Sequence, residues 1–197
     1  RRRSGGIFVK ILVINGPNMN MLGIRQPEIY GHATYEDLKS MIAGEAERLG
    51  AEVSFSGREA VVSRKELKGC KIDMGTVPDL FPITAVLLST AEGDSRLYGA
   101  PQLRFKESDR IETTVRMINA LGGDAEGTED GCIIHGVEKL KGGTVEHHGD
   151  HRIMMSAAVA SIVCDGPVIM DDPECAAVSY PDFPASMASI GLSSEVM

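Results

Sequence analysis

The sequence has no tryptophan, and its few phenylalanines and tyrosines make up only 5% of 197 residues. A core without large rings must be built from Val, Ile, Leu, Ala and Met. Ten methionines and 22 glycines suit a chain of many short strands and helices joined by tight crossovers. Positive charge is also short. The 20 Lys and Arg face 28 Asp and Glu, a formal charge of −8, which disfavours a nucleic-acid partner because phosphate backbones demand the opposite sign. No run approaches the ~18 to 20 apolar residues of a membrane helix. Arg1-Arg2-Arg3 leads into Ser4-Gly5-Gly6 rather than an apolar signal-peptide stretch, so the expected setting is cytoplasmic, with no membrane partner. The four cysteines, Cys70, Cys132, Cys164 and Cys175, form no C-x-x-C pair and are too sparse for a disulfide framework, so reduced thiols are expected.

What is present is an ordinary globular composition, 43% hydrophobic and 24% charged, enough for one or two domains of α/β or α+β type. Charge is unevenly divided. Residues 1–56 carry 7 basic and 6 acidic side chains, whereas residues 57–197 carry 13 and 22, which hints at two origins. The run Ile7–Ile14 predicts a strand buried on both faces of a parallel sheet, ending in the turn Asn15-Gly16-Pro17-Asn18. Helical spacing follows over Tyr35–Leu49, with Thr34 as N-cap and Gly50 as the stop, and Ala51–Phe55 alternates as a strand. From about Gly57 the rhythm changes. We expect a strand at Ala60–Val62, an apolar helix over Leu80–Ala91, a strand at Ser95–Tyr98 and a helix over Ser108–Leu121 stopped by Gly122-Gly123. Strands at Asp124–Gly127 and Cys132–His135, a helix from Asp150 to Val163 and a strand at Pro167–Met170 complete the reading.

The loop after the first strand, Asn15 to Gly31, lies at the carboxyl end of a parallel strand, where open α/β sheets place their ligands. Its Asn18, Arg25 and Tyr30 offer an amide, a fixed cation and a phenol. Arg can fork onto a carboxylate, and a phenolate held by a nearby cation can abstract a proton. A turn-rich surface loop with a solvated arginine is the alternative. Residues 11–38, with N-G-P-N-M-N-M-L-G-I-R-Q-P-E-I-Y-G, resemble the amino-terminal signature of type II 3-dehydroquinate dehydratases. The resemblance implies a flavodoxin-like fold, 3-dehydroquinate as substrate, Tyr30 as the catalytic tyrosine, Arg25 as the lid arginine that keeps it anionic, and Asn18 as a substrate-positioning amide. It covers only about the first 50 residues, and the family's later general-acid histidine has no counterpart after Phe55.

Three segments beyond residue 57 carry the other candidates. Val77-Pro78-Asp79 and Leu103-Arg104-Phe105-Lys106-Glu107-Ser108-Asp109-Arg110 each open a helix, and helix amino-termini attract anions. The second could equally be a solvated charged turn. In Glu146-His147-His148-Gly149-Asp150-His151-Arg152, three histidines and two carboxylates suggest a metal, but Gly149 makes a turn and Arg152 would repel a cation. As turn then helix, the same stretch makes Asp150 the N-cap and puts Arg152 in the first turn, facing an anion.

Together, I-D-M-G-T-V-P-D-L-F-P-I, L-R-F-K-E-S-D-R-I, G-D-H-R-I-M-M and D-D-P-E-C-A-A-V-S-Y-P-D-F resemble, in that order, the carboxyl-terminal part of 5-enolpyruvylshikimate-3-phosphate synthases over roughly residues 58–191. The resemblance implies transfer of the enolpyruvyl group of phosphoenolpyruvate to the 5-hydroxyl of shikimate 3-phosphate, with no cofactor and no metal. By position, Asp79 would accept the hydroxyl proton, Glu107 would exchange a proton with the phosphoenolpyruvate methylene, and Lys106 would contact the sugar-like substrate. Arg110 with Arg152 would clamp the phosphoenolpyruvate carboxylate. Where the family often has a lysine, this chain has Val178, and these residues are expected to hold no counterpart of the family's amino-terminal domain.

The combined expectation is a partial enolpyruvyl-transferase (inside-out α/β) domain at 57–197. A β-α-β fragment of a flavodoxin-like parallel sheet would precede it at 1–56. Both resemblances point to the shikimate route of aromatic amino-acid biosynthesis, as if two neighbouring coding segments were joined near Ser54–Ala60. The alternatives are dehydration of 3-dehydroquinate and an inactive fusion fragment. Self-association or a complementing partner is expected where the site lacks its other half.

Overall fold

The computed structural model describes residues 34, 36, 37, 40, 44, 51–56, 59–64, 67–189, 191, 192 and 195. It divides into two compact units, Arg1–Leu67 and Lys68–Met197. The expected strand at Ile7–Ile14, the loop at 15–31 and most of the helix at 35–49 lie outside the described residues.

In the first unit, Glu36, Asp37, Ser40 and Gly44 are helical. Thr34 caps that segment. Its Oγ1 accepts from the Asp37 N–H at 3.2 Å, while the Asp37 carboxylate accepts from the Thr34 N–H and hydroxyl, each at 2.7 Å. This is a reciprocal capping box with Asp in the third helical place. The expected Ala51–Phe55 strand exists as β1 (Ala51–Ser56), and it pairs with β2 (Glu59–Arg64) in an antiparallel ladder from Ala51↔Arg64 to Ser56↔Glu59. The parallel partner expected for β1, the strand at Ile7–Ile14, lies outside the described residues. Only residues 57 and 58 separate β1 from β2, and so short a link can join only antiparallel neighbours. The boundary expected between residues 56 and 57 falls between these two hydrogen-bonded strands.

The second unit is a mixed α/β assembly around one sheet. Strands β3 (Lys71–Asp73), β4 (Asp94–Tyr98), β5 (Asp124–Gly127) and β6 (Cys132–His135) lie in the order β3-β4-β6-β5; β3 and β4 are parallel and the other pairs antiparallel. One face is apolar. On β4, Leu97 and Ser95 are buried between exposed Asp94 and Arg96, and on β6 Cys132 and Ile134 are buried, the period-2 pattern of a sheet covered on one side.

Three helices build the rest of the core. Helix α1 (Phe81–Leu88), entered through a 3-10 turn at Pro78–Leu80, is apolar nearly all round and buries Phe81, Ala85, Val86 and Leu88. Helix α2 (Arg110–Ala120) is capped by the Asp109 side chain, which accepts from the Glu112 N–H. It ends where Gly122 turns the chain at φ +82°, and the Asn119 side chain ties the turn to β5 by bonding both the N–H and the C=O of Ala125. Helix α3 (His151–Ala160) is capped by Asp150 and packs on α1 and α2. The small residues Ser156, Ala157 and Ala160 are buried there, allowing close approach. Two further strands, β7 (Gly143–Thr144) and β8 (Val168–Ile169), pair in parallel, and α4 (Phe183–Ser189) closes a satellite core of Met154, Cys175, Ala176 and Phe183.

All four cysteines are free, and burial pushes the Cys132 thiol up to about 12, so it is inert packing material. Among the described residues, no helix is long and apolar enough to cross a membrane.

Candidate functional site

The three helix entries meet. Asp79 sits in the 3-10 turn before α1, Glu107 and Arg110 at the start of α2, and Asp150 with Arg152 at the start of α3. Arg110 is the centre, with its side chain 1% exposed. Its Nε donates to Asp150 Oδ2 at 2.9 Å, Nη1 to Asp79 Oδ1 at 3.1 Å, and Nη2 to Glu107 Oε2 at 2.5 Å and Asp150 Oδ1 at 3.3 Å. Every nitrogen of the guanidinium faces a carboxylate. A second guanidinium joins through Asp79, whose Oδ2 accepts from Arg152 Nη2 at 2.8 Å. Two cations thus share three carboxylates, a short-range arrangement that only guanidinium forks can satisfy.

Exposure separates the members. Asp150 is wholly buried, whereas Asp79, Glu107 and Arg152 are partly open to solvent. Burial works to raise the Asp150 carboxyl. The Arg110 hydrogen bonds and charge, the Arg152 N–H and the Ser108 hydroxyl outweigh it and hold the group below the ordinary carboxylate range. Beside the Asp79–Arg152 pair lies a shallow, open groove lined by Leu80, Ile83, Met155, Ser156 and Val159. Lys106 is exposed and has no hydrogen-bond or ion-pair partner among the described residues.

Of the five residues expected here, Asp79, Glu107, Arg110 and Arg152 are linked in one chain of ion pairs, Glu107 to Arg110 to Asp79 to Arg152, and Lys106 adjoins them in sequence. Both arginines of the expected carboxylate clamp are paired with the protein's own carboxylates here. Arg110 is saturated by carboxylates, and Arg152 is the more accessible of the two. Tyr30, Arg25 and Asn18 lie outside the described residues.

Several contributors went unrecognised in the sequence. The sequence marks Asp150 only as a cap, yet its two oxygens anchor Arg110. Arg104 braces the loop before α2, bonding Asp109 Oδ2 at 2.9 Å, the Glu129 carbonyl at 3.0 Å and the Thr128 carbonyl at 2.5 Å. His151 Nδ1 stands 3.9 Å from Glu107 Oε1. The available signal was adjacency to the K-E-S-D-R and D-H-R motifs. The three histidines of residues 147–151 diverge: His147 faces Asp171, His148 faces Glu146 and His151 faces Glu107.

The site is thus the meeting point of three helix entries of an α/β domain, lined with guanidiniums that can bind anions and carboxylates that can exchange protons. Comparison with known proteins narrows the reading. The family model of EPSP synthase (3-phosphoshikimate 1-carboxyvinyltransferase) matches residues 31–187. The chain is 50% identical over 145 residues to the 3-phosphoshikimate 1-carboxyvinyltransferase of Methanocorpusculum labreanum, covering 74% of this chain and 34% of that protein. It is 35% identical over 189 residues to that of Clostridium novyi, covering 95% of this chain and 42% of the relative. A solved EPSP synthase from Acinetobacter baumannii superposes with a TM-score of 0.63 at 32% identity, over 75% of this chain and 38% of that one. The chain belongs to the EPSP synthase family. It spans between about a third and two fifths of the length of these relatives.

Proposed function

We propose that the chain carries the phosphoenolpyruvate-facing part of an enolpyruvyl-transfer site. It would serve transfer of the enolpyruvyl group from phosphoenolpyruvate to the 5-hydroxyl of shikimate 3-phosphate in chorismate and aromatic amino-acid biosynthesis. The observation that carries this reading is the convergence of Asp79, Glu107, Arg110 and Arg152 from three helix entries. In the addition step the hydroxyl oxygen bonds to C2 of phosphoenolpyruvate, its proton passing to Asp79, while C3 takes a proton from Glu107. In elimination Glu107 takes a C3 proton back, the C2–O bond to phosphate breaks, and phosphate leaves. Arg152 would meet the substrate carboxylate by displacing Asp79, whereas Arg110 holds the two acid–base groups in place. Lys106, free to swing, would reach the sugar-like substrate.

Phosphate release by the chain supplied with both substrates, beside a reaction lacking shikimate 3-phosphate, tests the reading. Release that needs both substrates and is lost in Glu107→Gln supports it. Release indifferent to Glu107→Gln overturns the assignment of roles. If the chain is inactive alone, adding a relative's amino-terminal domain should restore activity, the result expected where a complementing partner supplies the other half of the site. The cytoplasmic setting belongs to the same proposal.

For residues 15–31 we propose the dehydratase reading as a second one, on the N-G-P-N to I-Y-G motif alone; the family model begins at residue 31, while the alignment to the Clostridium novyi relative, over 95% of the chain, takes the motif in. It predicts dehydroshikimate absorbance when 3-dehydroquinate is added, lost in Tyr30→Phe.

A further inference from the structure

We propose that His147 is a positioning residue for the anion site, fixing the turn from which Arg152 projects and tying it to the segment that begins at Asp171. The inference rests on the reading of Arg152 as an anion-binding group. His147 is 3% exposed and lies outside the carboxylate–guanidinium cluster. Its Nδ1 is 3.2 Å from the Gly149 backbone N–H, which can only donate, so Nδ1 accepts and the ring proton resides on Nε2. Nε2 in turn donates to Asp171, with the carbonyl oxygen and Oδ1 both at 3.1 Å. The His147 carbonyl also accepts from the Asp150 N–H at 2.9 Å. Side chain and backbone together wrap residues 147–150 into one turn.

Backbone geometry points to the same place. Among the described residues the two non-glycine positions with positive φ are His148, at +52°, and Asp172, at +40°. One directly follows His147 and the other directly follows Asp171. Gly149, at φ +73°, continues the left-handed path, and the next residue caps α3. Non-glycine residues hold such conformations only where surrounding contacts over-determine them. The His147 ring is a contact shared by both strained sites, because it bonds Gly149 on one side and Asp171 on the other. Release of the ring would let the turn relax, and the helix entry carrying Asp150 and Arg152 would lose its fixed direction.

Two conservative variants separate the two ends of the ring. His147→Asn can still accept from the Gly149 N–H as an Asx-turn but cannot reach Asp171. His147→Gln can reach Asp171 but forms no such turn. The Arg152 Nε–Hε resonance of the whole chain, followed with and without phosphoenolpyruvate, is the readout, alongside hydrogen exchange at the Gly149 amide. The expected result is a roughly fivefold to tenfold loss of phosphoenolpyruvate affinity and a moved Arg152 resonance in His147→Ala and His147→Gln, with both largely rescued in His147→Asn. An Arg152 resonance that stays unchanged in all three variants overturns the proposal, as does loss in Asn and Gln that merely follows stability. If wild-type chain shows no phosphoenolpyruvate response at Arg152, the substrate reading falls. The ligand-free Arg152 resonance and Gly149 exchange then still decide whether His147 sets the turn. Should His147→Ala fail to fold, the Asn and Gln pair carries the test.

Discussion

The Arg110 guanidinium grips both carboxylate oxygens of Asp150, 40 residues away in sequence, with both side chains buried. Removing one member of a buried pair leaves the other uncompensated, at about 3 to 5 kcal/mol. Asp150→Ala also deletes the cap of α3. Urea denaturation should show a loss in that range, with Asp150→Asn, which keeps the cap, losing less. An Asp150→Ala midpoint equal to wild type would mean Glu107 and Asp79 suffice to hold Arg110.

The same pair sets an acid limit. The folded Asp150 carboxyl lies below its unfolded value near 3.8, so its contribution is present above that value and is lost as pH falls through the folded one. Between pH 5 and pH 2, the stability difference between wild type and Asp150→Asn should therefore shrink. A difference that holds constant across this window would contradict the linkage.

A surface pair predicts the opposite slope. His135 Nδ1 lies 2.8 Å from Asp94 Oδ1 across β4 and β6, and that hydrogen bond raises the imidazole above 6.5, with nearby Asp124 and Glu126 adding to the shift. A raised histidine contributes stability that is fully present below the unfolded value and lost as pH rises through the folded one. Asp94→Asn should thus reduce the melting temperature at pH 6 and leave it nearly unchanged at pH 9. Added salt should narrow the difference because the pair is exposed.

At the mouth of the groove, Asp79 competes with any incoming anion for Arg152. An ion pair this open is worth no more than about 1 kcal/mol. Asp79→Asn should then bind phosphoenolpyruvate up to about fivefold more tightly in titration calorimetry, while abolishing whatever phosphate release the wild-type chain supports. Weaker binding in the variant would show that Asp79 orients Arg152 rather than blocking it.

Much of this architecture is legible in the sequence. Strands β5 and β6 fall at their expected bounds, and the Asp150 cap follows from an N-cap residue before an apolar period. The Gly122-Gly123 stop of α2 was equally visible. The short elements were not. Strand β3 has three residues and β7 two, too few for any periodicity, and β7 forms only because β8 comes beside it. Residues 173–178 form a 3-10 turn after a left-handed Asp172, and α4 is a seven-residue helix with serine and proline in it, so neither carries an apolar stripe. For the site, the resemblance to the family's motifs paired Arg110 with Arg152, while residue types alone left the Arg110 segment open as a solvated charged turn. The burial of Arg110 under three carboxylates depends on contacts 31 and 40 residues apart, which no local pattern contains.

Those separations also bear on how the chain reaches its folded state. Asp79, Glu107 with Arg110, and Asp150 each ride on a different helix, so the cluster can close only after α1, α2 and α3 have docked. Contacts that close late contribute little to the barrier for folding and much to the barrier for unfolding. A cluster that closes this late is expected to set how long the unit stays folded more than how fast it folds, so Asp150→Asn should speed unfolding and leave refolding nearly unchanged in stopped-flow kinetics.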